Sequence, residues 1–114
     1  MYEEDFVDET PVEFELSGRK FKYKILNAEE SNDMLKDLFY IDDKGTMQKD
    51  LSVVNKYRAT NLVSVPWKSE VEWSKMTKLE KWKLIGKIDR SLFTKIIGKI
   101  DKIEKKGSDA LKKS

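Results

Sequence analysis

Val12-Glu13-Phe14-Glu15-Leu16-Ser17-Gly18-Arg19-Lys20-Phe21-Lys22-Tyr23-Lys24-Ile25 is the stretch that decides the fold. Apolar and charged residues alternate on both sides of Ser17–Lys20, as in half-buried strands whose successive side chains point to opposite faces. A two-residue turn at Gly18-Arg19, glycine first, suits a type II′ hairpin. Leu16 then faces Phe21, Phe14 faces Tyr23 and Val12 faces Ile25. On the other side Glu15 meets Lys22 and Glu13 meets Lys24. Each matched cross-strand pair contributes about 0.2–1 kcal/mol, and all of these agree in one register. The chain is expected to open its domain with a β-hairpin over residues 12–25.

Helical periodicity takes over after the hairpin. Asn27 can cap a helix over about 28–40, with Glu30 placed for a capping box and Met34, Leu35, Leu38 and Phe39 on its apolar side. Asp42-Asp43-Lys44-Gly45 is a turn cluster that ends it. A second helix fits about 48–65 through Leu51, Val54, Tyr57, Leu62 and Val65, and Pro66 stops it. Thr77 and Glu80 form a second capping box. From there Leu79, Trp82, Ile85, Ile88, Leu92, Ile96, Ile100 and Ile103 step by three or four residues. Residues 77–106 are therefore one long helix or two helices broken near Arg90-Ser91, with Gly107 as the C-cap. The expected architecture is a mostly helical α+β domain over residues 12–106, an N-terminal β-hairpin followed by three or four helices. An acidic arm, 1–11, precedes it and a frayed tail, 107–114, follows.

The charge changes sign along the chain. Residues 1–50 carry 14 acidic and 7 basic side chains, whereas residues 51–114 carry 7 acidic and 16 basic ones. Such polarity bears on association more than on fold. Cysteine and histidine are both absent, which removes disulfides and the usual zinc, haem and iron–sulfur ligands. Catalysis would have to rest on carboxylate, lysine or tyrosine chemistry in a defined cleft, and nothing in the sequence marks one. No cofactor and no metal is expected. Neither a signal peptide nor an apolar run of about 20 residues is visible, so a soluble, non-secreted protein is expected.

Three features bear on partners. Trp67, Trp73 and Met76 sit in the connector 66–76, where exposed tryptophan would mark an interaction hot spot and buried tryptophan would plug the core. The isoleucine stripe, Ile96, Ile100 and Ile103 above all, is either the core side of a helix or a face too long for so small a domain to cover. Lys78, Lys81, Lys95, Lys99, Lys102 and Lys106 recur opposite that stripe. They make either a solvated face or a footprint for phosphate backbones. Asp42–Gly45 lacks the ligand spacing of a calcium loop and reads as a turn.

The order of parts resembles the small tail assembly chaperones of long-tailed bacteriophages. The resemblance covers about residues 12–106. It is carried by the hairpin, by the segment Ala59-Thr60-Asn61-Leu62-Val63-Ser64-Val65-Pro66, by the connector Glu70-Val71-Glu72-Trp73 and by the Ile/Lys-rich helical end. It implies a non-enzymatic protein of the host cytoplasm, absent from the mature virion, that binds and solubilises the tape-measure protein and helps recruit tail-tube subunits. It also implies a frameshifted longer form, extended from near Lys112-Lys113. On this reading Trp67, Trp73, Met76, Ile96, Ile100 and Ile103 are the partner-binding residues, and the bipolar charge favours self-association. The competing expectations are a small nucleic-acid-binding accessory protein and a structural head–tail component of the virion.

Overall fold

Ser17 and Gly18 both adopt positive φ, 52° and 77°, and two consecutive left-handed residues make a type I′ turn. A computed structural model describes residues 10–112, with side chains as far as Lys106. The expected acidic arm thus lies, for residues 1–9, outside the described residues. The turn joins β1 (Val12–Leu16) to β2 (Arg19–Tyr23). Val12 pairs with Tyr23, Glu13 with Lys22, Phe14 with Phe21, Glu15 with Lys20 and Leu16 with Arg19. The expected hairpin is present, but its turn is Ser17-Gly18 and its register differs by two residues. Glycine takes the second turn position, and serine tolerates the first. Because side chains alternate with a period of two, a slip of two leaves each on its expected face. Phe14 stacks on Phe21 with ring centroids 5.2 Å apart.

The remaining elements are α1 (Ala28–Leu38), β3 (Phe39–Ile41), β4 (Met47–Lys49), α2 (Ser52–Thr60), β5 (Leu62–Ser64), α3 (Glu70–Lys75), α4 (Lys78–Ile85) and α5 (Arg90–Lys112). The fold class is as expected: mostly helical α+β, opened by a β-hairpin. The connector adds a short helix, α3, so the described residues hold five helices. Strand order is β1-β2-β5 in one sheet, and β3-β4 forms a separate antiparallel pair.

Two expected helices are shorter than their periodicity suggested. The first stops at Leu38, where the backbone of Phe39 turns extended. The second, expected over 48–65, is helical only from Ser52 to Thr60. Asn61 explains its end. Its backbone amide donates to the Arg58 carbonyl at 3.1 Å, and its side-chain amide donates to the Lys24 carbonyl. That tether delivers Leu62–Ser64 to the edge of β2 as β5. A short apolar run such as Leu62-Val63-Ser64-Val65 fits either period, so tertiary pairing decides it.

Residues 77–106 are two helices. Thr77 and Glu80 complete the capping box of α4, each bond 3.1 Å long. The chain then turns between Gly86 and Asp89, and the Asp89 carboxylate accepts from the Leu92 amide at 3.2 Å, starting α5. Gly107 does not end α5, which continues to Lys112.

The core gathers Phe21, Tyr23, Ala59, Leu62, Val65, Trp73, Ile85, Ile96 and Ile100. Helix α5 packs against β1 and α2. Its Glu104 carboxylate accepts from the buried Tyr23 hydroxyl at 2.8 Å and from the Leu26 amide at 3.0 Å. Burial, and then that carboxylate, push the Tyr23 phenol well above its ordinary pKa. Arg58 of α2 reaches Asp101 of α5 at 3.0 Å.

The turn assignment is testable by denaturant titration. Gly18→Ala should cost about 1–2 kcal/mol, the left-handed penalty for an L-residue. Ser17→Gly should relieve strain and be neutral or stabilising by up to about 1 kcal/mol. A loss of stability from Ser17→Gly as large as that from Gly18→Ala would contradict the type I′ geometry.

Candidate partner-binding surface

The partner-binding residues expected from the sequence are placed mostly inside. Trp73, Ile96 and Ile100 are at most 2% exposed, so in the isolated chain they offer no surface to a partner. Trp73 is the plug of the core: its indole N–H donates to the Leu62 carbonyl at 2.6 Å. Trp67, Met76 and Ile103 are partly buried and pack against the same cluster, Trp67 meeting Phe21 edge-on at 5.6 Å. The stripe from Trp82 to Ile103 is thus chiefly the core side of α4 and α5. Leu79, at its start, is exposed.

Exposed apolar surface gathers instead in residues 35–51. Ile41 is 70% exposed, Met47 67% and Leu51 69%, with Leu35, Phe39 and Tyr40 also open. All six residues of β3 and β4 are exposed. Phe39 pairs with Lys49, Tyr40 with Gln48 and Ile41 with Met47. Phe39, Ile41, Met47 and Lys49 therefore share one face, and Tyr40 and Gln48 the other. The Lys49 ammonium lies 5.7 Å from the Phe39 ring centroid.

The hairpin's loop is built around Asp42. The Gly45 amide donates to the Asp42 carbonyl at 3.0 Å and the Asp42 amide to the Thr46 carbonyl at 3.0 Å. Gly45 is left-handed, φ 77°, giving a three-residue loop with a glycine bulge. The Asp42 carboxylate accepts from the amides of Lys44 (2.9 Å) and Thr46 (3.0 Å) and from the Gln48 carboxamide (3.1 Å). At the base, the Asp50 amide donates to the Leu38 carbonyl at 2.8 Å. The sequence carried the signal: a turn cluster between Phe39-Tyr40-Ile41 and a second extended segment is a hairpin pattern. The same cluster also fits a helix end, and the extended backbone on both sides of it decides for the hairpin.

A cleft of about 180 Å³ opens between α1, α2 and α4, lined by Leu26, Glu30, Asp33, Tyr57, Thr60, Asn61, Lys78 and Lys81. Most of its polar groups are engaged with each other or with the chain. The Lys78 ammonium lies 3.2 Å from the Tyr57 ring centroid, a cation–π contact. The Tyr57 hydroxyl donates to Asp37, a bond that pushes its pKa up to about 12. Burial lowers the pKa of Lys78 and Lys81, and Lys81 lies over Trp73 at 5.2 Å. Glu30 is held in the Asn27 capping box. This cleft cements three helices.

Of the lysines opposite the stripe, Lys95, Lys99, Lys102 and Lys106 are exposed on α5, while Lys78 and Lys81 cover aromatic rings. Among the described residues no group of three or more acidic side chains is placed to hold a metal ion. No helix among them is long and apolar enough to cross a membrane.

Bonds donated to its carboxylate, the Thr46 amide foremost, hold Asp42 below its ordinary pKa of 3.8. A lowered carboxylate pKa means that its contribution is complete above 3.8 and is lost as pH falls through the lowered value. Acid titration followed by NMR should therefore show the Lys44 and Thr46 amides losing their hairpin shifts while core resonances persist. Asp42→Ala should produce the same change at neutral pH, and unchanged loop resonances in that variant would contradict this role.

Comparison of the chain with models of protein families, with curated proteins and with solved structures finds no match.

Proposed function

We propose that this chain is a non-enzymatic assembly chaperone of the long-tailed phage kind, acting in the host cytoplasm. In this reading it binds and solubilises a tape-measure protein, helps recruit tail-tube subunits and is absent from the finished particle. The client contact is assigned to Leu35, Phe39, Ile41, Met47 and Leu51, in place of the isoleucine stripe. One observation carries this reading: apolar side chains concentrate on a two-stranded hairpin that the rest of the described residues leave uncovered. Apolar patches that a soluble domain leaves open mark sites of protein association. A lone two-stranded ribbon is marginal in water, so a client laid on it would stabilise it. Its open strand edges and apolar face suit a segment docked as a strand or an amphipathic helix. The resemblance in layout supplies the client class.

The exposed lysines of α5 favour one rival, a nucleic-acid-binding accessory protein. The two readings separate on salt. Phosphate-backbone binding falls steeply with added salt, whereas apolar client binding changes little.

Co-expression with a tape-measure protein tests the proposal. The wild-type chain should keep the client soluble. Ile41→Ser combined with Met47→Ser should abolish this while shifting stability by only about 0.5 kcal/mol per exposed site. Ile100→Ala, a core truncation, should cost about 2–5 kcal/mol of stability and leave the hairpin surface intact. A client that stays soluble with the hairpin variant, or that precipitates with the wild type, would contradict the assignment.

A further inference from the structure

The division of charge along the sequence is also a division among the elements. Residues 28–50, which make α1 and the β3–β4 hairpin, hold seven acidic and three basic side chains. Residues 78–106, which make α4 and most of α5, hold ten basic and four acidic ones. Exposed apolar groups occur on both halves. The acidic half carries the group between Leu35 and Leu51, and the basic half carries Leu79, 54% exposed in the first turn of α4. Lys83 follows Leu79 by four residues and so shares its helix face. It too is exposed, as is Lys75 at the end of α3. Each half thus presents an apolar spot, and the halves differ in net charge; within the hairpin Asp42, Asp43 and Asp50 outnumber Lys44 and Lys49, and the larger acidic excess lies on the adjoining α1.

We propose that the β3–β4 hairpin of one copy docks on the α4 face of a second copy of this chain. Ile41 and Met47 pack on Leu79, and the acidic residues of the hairpin half meet the lysines around Leu79. A symmetric pairing of hairpin with hairpin would set two net-acidic halves against each other, which like-charge repulsion disfavours. The contact is heterologous, so a pair keeps one free hairpin and one free α4 face, and association runs on beyond the dimer. The same surface is assigned above to the client. On that reading, and only on it, the second copy covers the hairpin until a client displaces it.

Sedimentation velocity on the full chain tests the contact, with circular dichroism to confirm that each variant folds. The wild type should form species beyond the dimer as concentration rises. Raising salt from about 0.05 to 0.5 M should weaken this several-fold, as the Debye length shrinks from roughly 14 to 4 Å. Ile41→Arg with Met47→Arg, and separately Leu79→Glu with Lys83→Glu, should each be monomeric. Mixed together they should give a one-to-one dimer and nothing larger, since only one intact contact remains. A wild type that stays monomeric, a mixture that does not pair, or a closed dimer from either variant alone would overturn the proposal. Client solubilisation by the Leu79→Glu/Lys83→Glu variant is a separate readout: it should persist, and its loss would count against the client reading and leave the sedimentation result standing.

Discussion

The bond from the Trp73 indole to the Leu62 carbonyl is the contact on which the rest of the architecture leans. Strand β5 is three residues long and forms one edge of the three-stranded sheet, so its outward backbone groups need partners. Leaving a buried carbonyl unpaired costs about 1–3 kcal/mol, and Trp73 supplies the donor at no polar cost elsewhere. Its ring also seals the centre of the core. That fastens α3 to the sheet, and α4 follows after only Met76 and Thr77. Helix α5 then closes over β1 and α2, with Glu104 locked to Tyr23 and Leu26.

This closure has a consequence for where apolar surface remains. Trp73, Ile85, Ile96 and Ile100 fill the space beside the hairpin β1–β2, and the long apolar stripe is largely used up inside the molecule. Among the described residues, the exposed apolar side chains between Leu35 and Leu51 have no comparable cover. Its second ribbon is held by local bonds, those of Asp42 and Asp50 chiefly. The proposed client surface is thus the part of the molecule that the core does not reach. It sits on the acidic half, while the lysines of α5 lie on the other.

Much of the fold could be read from the residues. Alternation over Val12–Ile25 gave the hairpin and its faces, and capping boxes at Asn27 and Thr77 gave two helix starts to the residue. Periodicity over Trp82–Ile103 identified a core face, but burial alone decides whether such a stripe is covered. The turn register was missed because Gly18 can serve either turn position; only the φ of Ser17 distinguishes them. Strands β3, β4 and β5 were missed because three-residue segments carry too little pattern to outweigh neighbouring helical spacing. The tryptophan cluster was legible as important, yet sequence could not say whether Trp73 faces in or out. The exposed residues Ile41, Met47 and Leu51 could be identified only once the helix expected over 48–65 gave way to α2 between two short strands.

Solvent relaxation of methyl groups, measured by NMR with a soluble paramagnetic probe, reads the exposure of the β3–β4 ribbon and of the isoleucine stripe in one experiment. Strong enhancement is expected at the Ile41 and Met47 methyls and almost none at Ile96 and Ile100, with the first pair becoming shielded when a tape-measure protein is added. Exposed Ile96 and Ile100 methyls beside a sealed β3–β4 ribbon, or a bound client that leaves Ile41 and Met47 as open as before, would contradict it.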